Sequence, residues 1–182
     1  MLVGKTINLN CGVYFCPNSS IVNRLIIDAG NTSIKAAIFS DGQIIERVTF
    51  RGKLLTPLVE LIGSINEKPA TSILSNVRKD DQDLEEILTS LGIKSLIKIR
   101  SGMMLPVKIQ YKTPQTLGND RLANVCAASV LFPGHNLLII DIGTCIKYDV
   151  VRTDLSYPGG AISPGLRMRY KSLSTFTGKL PY

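Results

Sequence analysis

Histidine is nearly absent from this chain: His135 is the only one among 182 residues. It sits in the stretch Phe132-Pro133-Gly134-His135-Asn136, so a Ser-His-Asp triad has only this loop histidine to use. Cysteine is sparse too. Of Cys11, Cys16, Cys126 and Cys145, only the first two are close in sequence, and no second pair stands at zinc-ligand spacing. A His/Cys metal centre is therefore not expected, and reduced, non-catalytic thiols are. No apolar run reaches the ~18 residues of a membrane span, and the start lacks the basic, apolar and small-residue succession of a signal peptide. The chain is read as cytoplasmic, with no membrane partner.

What is present is ordinary for a globular protein: 45% hydrophobic and 19% charged residues. The net charge of +7 permits polyanionic ligands without choosing among them. Lys94, Lys98, Arg100, Lys108 and Lys112 form one basic stretch, and Arg167, Arg169 and Lys171 another. No aromatic residues alternate with these charges as a single-strand stacking platform requires, so a nucleic-acid partner is not expected.

The informative feature is an internal echo. Leu25–Ile38 reads LIIDAGNTSIKAAI and Leu138–Val151 reads LIIDIGTCIKYDVV. With one gap, both give Leu-Ile-Ile-Asp-x-Gly, then Thr-x-Ile-Lys. In each copy the pattern predicts a buried strand, Leu25–Asp28 and Leu137–Asp141, ending in an aspartate on a glycine turn. The returning strands are Ile34–Phe39 and Cys145–Val151. Glycine lets a ligand approach the backbone and its N–H groups. Thr32, Thr144 and Asn31 add donors, while Asp28 and Asp141 can hold a cation or its water shell. Lys35 and Lys147 are placed for phosphate. Two such turns facing one another would grip a phosphate chain. The same residues also make plain hairpins, but two copies on matched apolar strands favour the ligand reading.

Around the first copy the sequence predicts an Asp-Gly hairpin turn over Ser40–Gln43, a third strand to Phe50, and a helix over Leu54–Ile65. A strand over Ser72–Val77, a helix over Asp80–Leu91 and a strand over Ser95–Arg100 follow. Around the second it predicts a helix to about Leu131, a turn over Tyr157–Gly160, and a helix opened by Ser163-Pro164-Gly165 and running through Leu173. Such an order describes α/β domains with mixed sheets. Residues 1–24 show no clean period and are read as an extension. Gly4-Lys5-Thr6 is not taken as a phosphate-binding loop, since no glycine precedes it at the required spacing.

Paired motifs of this kind resemble the acetate and sugar kinase, Hsp70 and actin superfamily, in which two ribonuclease-H-like domains clasp ATP. Three further stretches narrow the resemblance: Thr116–Asn124 (TLGNDRLAN), Gly159–Leu166 (GGAISPGL) and Gly178–Pro181 (GKLP). In this order and spacing, the five motifs resemble the type III pantothenate kinase family from about Leu25 onward. The resemblance implies two actin-like domains, 25–112 and 113–182, after a non-family extension over 1–24. It implies transfer of a phosphoryl group from ATP to pantothenate, the entry to coenzyme A synthesis, with Mg2+ and a monovalent cation, potassium or ammonium. It also implies a homodimer.

Residue by residue, Asp28, Ala29, Gly30, Asn31, Thr32, Ser33, Ile34 and Lys35 match the family's first ATP-binding motif, and Thr144 matches an ATP contact. Asp120 matches the general base. Tyr111, Gly118, Asn119, Asp120 and Arg121 match the pantothenate-binding set, and Asp141 matches the monovalent-cation ligand. Two departures stand out. The family's second motif reads Asp-x-Gly-Thr-Ala-x-Thr-x-Asp, and here Cys145 replaces the alanine and Lys147 the second threonine. Family members also continue past the Lys-Leu-Pro motif, so the second domain is expected to be incomplete. A catalytically impaired nucleotide-binding homologue, acting as an accessory protein, is the alternative.

Overall fold

A computed structural model describes residues 22–52, 54–78 and 82–180. The Gly4–Thr6 stretch, most of the N-terminal extension, Cys11 and Cys16 lie outside the described residues, as do Asp80 and Pro181. The chain divides into two compact units. The first runs to Met103 and takes in Gly118–Ala123; the second comprises Met104–Leu117 and Asn124 onward.

In the first unit, β1 (Arg24–Ala29), β2 (Ile34–Ser40) and β3 (Gln43–Phe50) form an antiparallel meander. Asp41 and Gly42, with φ of 49° and 77°, close the β2–β3 hairpin, the two positive angles a tight I′-type turn needs. Helix α1 (Thr56–Gly63) then carries the chain to β4 (Thr71–Asn76), which lies parallel to β1. Helix α2 (Gln82–Ser90) does the same for β5 (Ser95–Lys98), parallel to β4. The sheet order is therefore β3-β2-β1-β4-β5, a mixed sheet as the pattern predicts.

Alternation decides the core. Leu25, Ile27 and Ala29 of β1 and Ile34, Ala36 and Ile38 of β2 share one buried face. Leu58, Leu61 and Ile62 of α1 join them, as do Leu84 and Leu88 of α2. Pro57 starts α1, where its missing N–H costs nothing. Asp83 and Glu85 suit the positive start of α2, and Gly92, at φ 90°, ends it.

In the second unit, β6 (Lys108–Ile109) pairs in parallel with β9 (Ser156–Tyr157). Helix α3 (Asn119–Leu131) divides its residues between the units. The main sheet is antiparallel, in the order β10-β8-β7, from β7 (Leu137–Ile142), β8 (Cys145–Val151) and β10 (Gly159–Pro164). Helix α4 (Leu166–Phe176) follows, with Gly165 at its N-cap.

Two expectations need correction here. The turn read at Tyr157–Gly160 shrinks to Pro158, because Tyr157 ends β9 and Gly159 begins β10. The strand read as buried, β7, is not: Leu138 is 63% exposed, Ile140 50% and Ile142 70%. Among the described residues nothing covers that face, and α4 buries none of its own residues.

Candidate functional site

Asp28 lies near the end of β1, opposite Lys35 in the β1–β2 ladder. The turn between them is held by the Gly30 N–H, which donates to the Ser33 carbonyl at 3.0 Å. A Cβ on Gly30 would stand 3.2 Å from that oxygen, a tight approach that a side chain fits only if the turn gives by a few tenths of an ångström. Asn31 and Thr32 are exposed at the tip, with Ser33 half-buried. Ala29 and Ile34 are 1% exposed and belong to the core, so only their backbone can meet a ligand. The Lys35 Nζ stands 3.8 Å from Asp28 Oδ2, and both side chains are open to solvent.

Asp28 and Lys35 also line an open depression of about 400 Å³ with Ile26, Ala37, Arg47 and Thr49. Thr49 is the cross-strand partner of Lys35, and Arg47 of Ala37. Nothing in the sequence pattern marks Arg47 and Thr49 for this face. The cause is a bulge between Ile38 and Phe39 that shifts the register by one residue. Counting back from the Asp-Gly turn without it pairs Arg47 with Ala36, on the core face.

The Gly118–Arg121 segment belongs to this same unit. The Asn119 Nδ2 donates to the carbonyl of Asn76 at 3.0 Å, and Asn76 is the register partner of Ala29. The Val77 N–H in turn donates to the Ala29 carbonyl at 3.1 Å. The segment carrying Asp120 is thus fastened to the sheet end that carries Asp28. The Asp120 carboxylate accepts the Arg121 backbone N–H at 2.8 Å, and a Cβ on Gly118 would come within 2.6 Å of that carboxylate. Arg121 itself is buried, at 4% exposure.

In the second unit, Asp141 and Lys147 are register partners, as Asp28 and Lys35 are in the first. Here the pair is closed. Lys147 Nζ donates to Asp141 Oδ2 at 2.6 Å, and Asn124 Nδ2 lies 3.5 Å from the same oxygen. The lysine side chain is only 18% exposed. A monovalent cation does not fit this arrangement: the carboxylate already holds an ammonium, and a second positive charge beside it would be repelled. Among the described residues no group of three His, Cys, Asp or Glu side chains could hold a metal ion.

Thr144 is exposed on the β7–β8 turn. The Gly165 N–H donates to the Thr144 carbonyl at 3.0 Å, and a Cβ on Gly165 would fall 2.4 Å from the carbonyls of Gly143 and Thr144. Gly160 is tighter still, at 1.7 Å from the Tyr148 carbonyl. Tyr111 lays its ring on Gly159, whose φ of 112° and missing side chain make the seat. Gly160 and Gly165 of the Gly-Gly-x-Ile-x-Pro-Gly motif thus pack on backbone, and Gly159 on an aromatic ring, all within this unit. Neither Cys126 nor Cys145 is in a disulfide. No helix among the described residues is long and apolar enough to cross a membrane.

A mixed α/β sheet opened by an aspartate-glycine turn places the chain in a known fold. Solved structures share it: a Baf family protein described as a transcriptional activator from Campylobacter jejuni (TM-score 0.52, 18% identity) covers 84% of this chain and 60% of its own. The ethanolamine utilization protein EutJ from Carboxydothermus hydrogenoformans (TM-score 0.50, 10% identity) covers 88% and 58%. The family follows from sequence. A family model for type III pantothenate kinase matches residues 24–182, and the chain belongs to that family. It is 48% identical to the type III pantothenate kinase of Christiangramia forsetii, across 87% of this chain and 64% of that protein. The corresponding protein of Phocaeicola vulgatus is 45% identical with the same coverage, and that of Flavobacterium psychrophilum 39% identical. The chain spans 64% of the length of each of these relatives.

Proposed function

We propose that the chain serves as an ATP-dependent pantothenate kinase, forming 4′-phosphopantothenate at the start of coenzyme A synthesis, in the cytoplasm and as a homodimer. The observation that carries this reading is the Asn119–Asn76 hydrogen bond, which ties the Asp120 segment to the sheet end bearing Asp28. A primary alcohol is a poor nucleophile, and a carboxylate positioned to take its proton contributes about 10²–10⁴-fold. Asp120 has that role here. Asp28 fits the needs of Mg2+, which takes one or two carboxylates and fills its shell with substrate phosphates and water. When bound, the ion would neutralise phosphate charge. Lys35, the turn N–H groups of Gly30–Ser33 and the Thr32 hydroxyl would hold the nucleotide, with Thr144 as a further ATP contact. Tyr111, Gly118, Asn119 and Arg121 would hold pantothenate.

The test is ADP release from the 182-residue chain given ATP, magnesium and pantothenate. Release is expected only with pantothenate present. Asp120→Asn should lower it by about 10²–10⁴-fold while nucleotide binding persists. Full activity in that variant would remove Asp120 from the role.

A second reading has its own observation. The first unit follows its meander with α1 and then sets β4 and β5 beyond β1. The second unit repeats the meander and follows it with α4, yet β7 has β8 as its one sheet neighbour among the described residues. We infer that the second actin-like domain is incomplete in these 182 residues, and that a parallel strand belongs beside β7. An impaired, nucleotide-binding accessory role then becomes the alternative to catalysis. Nucleotide binding without ADP release, in a chain extended to the length of its relatives, would favour it.

A further inference from the structure

The two Asp-x-Gly turns differ in one respect that the echo conceals. In both copies the aspartate faces a lysine across the ladder, Asp28 with Lys35 and Asp141 with Lys147. In the first, the ends stand 3.8 Å apart, and the lysine and aspartate side chains are 65% and 44% exposed. In the second they meet at 2.6 Å, with the lysine 18% exposed. The first pair is longer than a hydrogen bond and open to solvent. The second is a charge-assisted hydrogen bond from a lysine whose side chain is mostly buried. Asn124 completes the setting from α3, with its amide 3.5 Å from the same carboxylate oxygen.

From this we infer that the Lys147 ammonium is a resident monovalent cation: it supplies at Asp141 the single positive charge that a bound potassium or ammonium ion would otherwise bring. An alkylammonium carries the same charge as either ion. Its tether removes the entropy cost of capturing an ion from solution, because the β7–β8 ladder already holds Lys147 opposite Asp141. A threonine at 147 would leave the carboxylate without this charge and so open to an ion. The lysine fills the place, and the chain has no need of the ion there. The kinase reading enters only in what this charge does for turnover; the binding claim rests on the Asp141–Lys147 pair alone.

The experiment is a titration of the 182-residue chain with potassium chloride at constant ionic strength, balanced with choline chloride, without substrates, and followed by thermal melting and calorimetry. The unaltered chain should show no saturable, potassium-selective effect. Lys147→Thr should gain one, a rise in Tm of about 3–5 °C at roughly ten times the new Kd. Asp141→Asn in that background should abolish it. Should Lys147→Thr fail to fold, Lys147→Gln takes its place.

A saturable potassium-selective shift in the unaltered chain, removed by Asp141→Asn, overturns the inference. So does a folded Lys147 variant that takes up no potassium, since the lysine would then have replaced nothing. If the chain turns over, its rate should be the same in potassium and in choline chloride, and dependence on potassium also overturns the inference. Absence of ADP release in both salts counts against the kinase reading and leaves the titration result standing.

Discussion

The Tyr157 hydroxyl donates to the Asp149 carboxylate at 2.6 Å, with the tyrosine wholly buried and the aspartate 2% exposed. Asp149 closes the second Asp-x-Gly-Thr motif on β8, while Tyr157 ends β9. The bond therefore ties the motif strand to the short β6–β9 pair.

Removing that hydroxyl strips a hydrogen bond from a buried carboxylate. Tyr157→Phe should lower stability by about 1.5–3 kcal/mol, the range for bonds to charged groups. A urea midpoint at constant slope measures it. A change under about 0.5 kcal/mol would show that other partners of Asp149 satisfy the carboxylate without the tyrosine.

The two lysines of the echo should behave differently. Lys35→Met breaks a loose, exposed pair and should alter stability by no more than about 0.5 kcal/mol. Lys147→Met leaves a half-buried carboxylate without its ammonium and should cost about 1–2 kcal/mol. Equal effects in denaturant melts would contradict the difference in geometry.

Gly165→Ala sets a methyl group 2.4 Å from two carbonyl oxygens of the β7–β8 turn. Backbone cannot yield as a side chain can, so the variant should lose about 1–3 kcal/mol, and Gly160→Ala more. Gly63→Ala is the control, since nothing lies within 4 Å of that site. Comparing the three melting temperatures checks the ranking.

The uncovered face of β7 gives the reverse expectation. Ile140→Ser should change the stability of the 182-residue chain by less than about 0.5 kcal/mol, because the side chain is half in solvent already. Leu58→Ala, in the core of the first unit, should cost about 2–5 kcal/mol. In a chain that covers β7, the Ile140→Ser cost should rise toward that of a core site.

Asn119→Ala removes the bond to the Asn76 carbonyl and should cost about 0.5–1.5 kcal/mol. If the bond positions Asp120, kcat should fall with nucleotide affinity unchanged. A loss confined to nucleotide affinity would place the effect in the ATP turn instead.

Local pattern in the chain sets most of the elements and the family. The apolar run Leu25–Ile27 and the Asp41-Gly42 turn dictated the first hairpins. The four-residue spacing of Leu84 and Leu88 dictated α2, and five ordered motifs carry the family resemblance. These are local signals, set by backbone preference and by which face of an element is apolar. Tertiary structure alone decided three other matters. The bulge at Ile38/Phe39 carried Arg47 and Thr49 to the face of Asp28, because a shift of one residue moves a strand's side chains across the sheet. The Asn119–Asn76 bond joined residues far apart in the chain, which no spacing rule can see. Finally, two aspartate-lysine pairs that read alike in sequence became an open pair and a closed one. Side-chain burial and end-to-end distance depend on what packs around a ladder, and the ladder's own residues do not encode that.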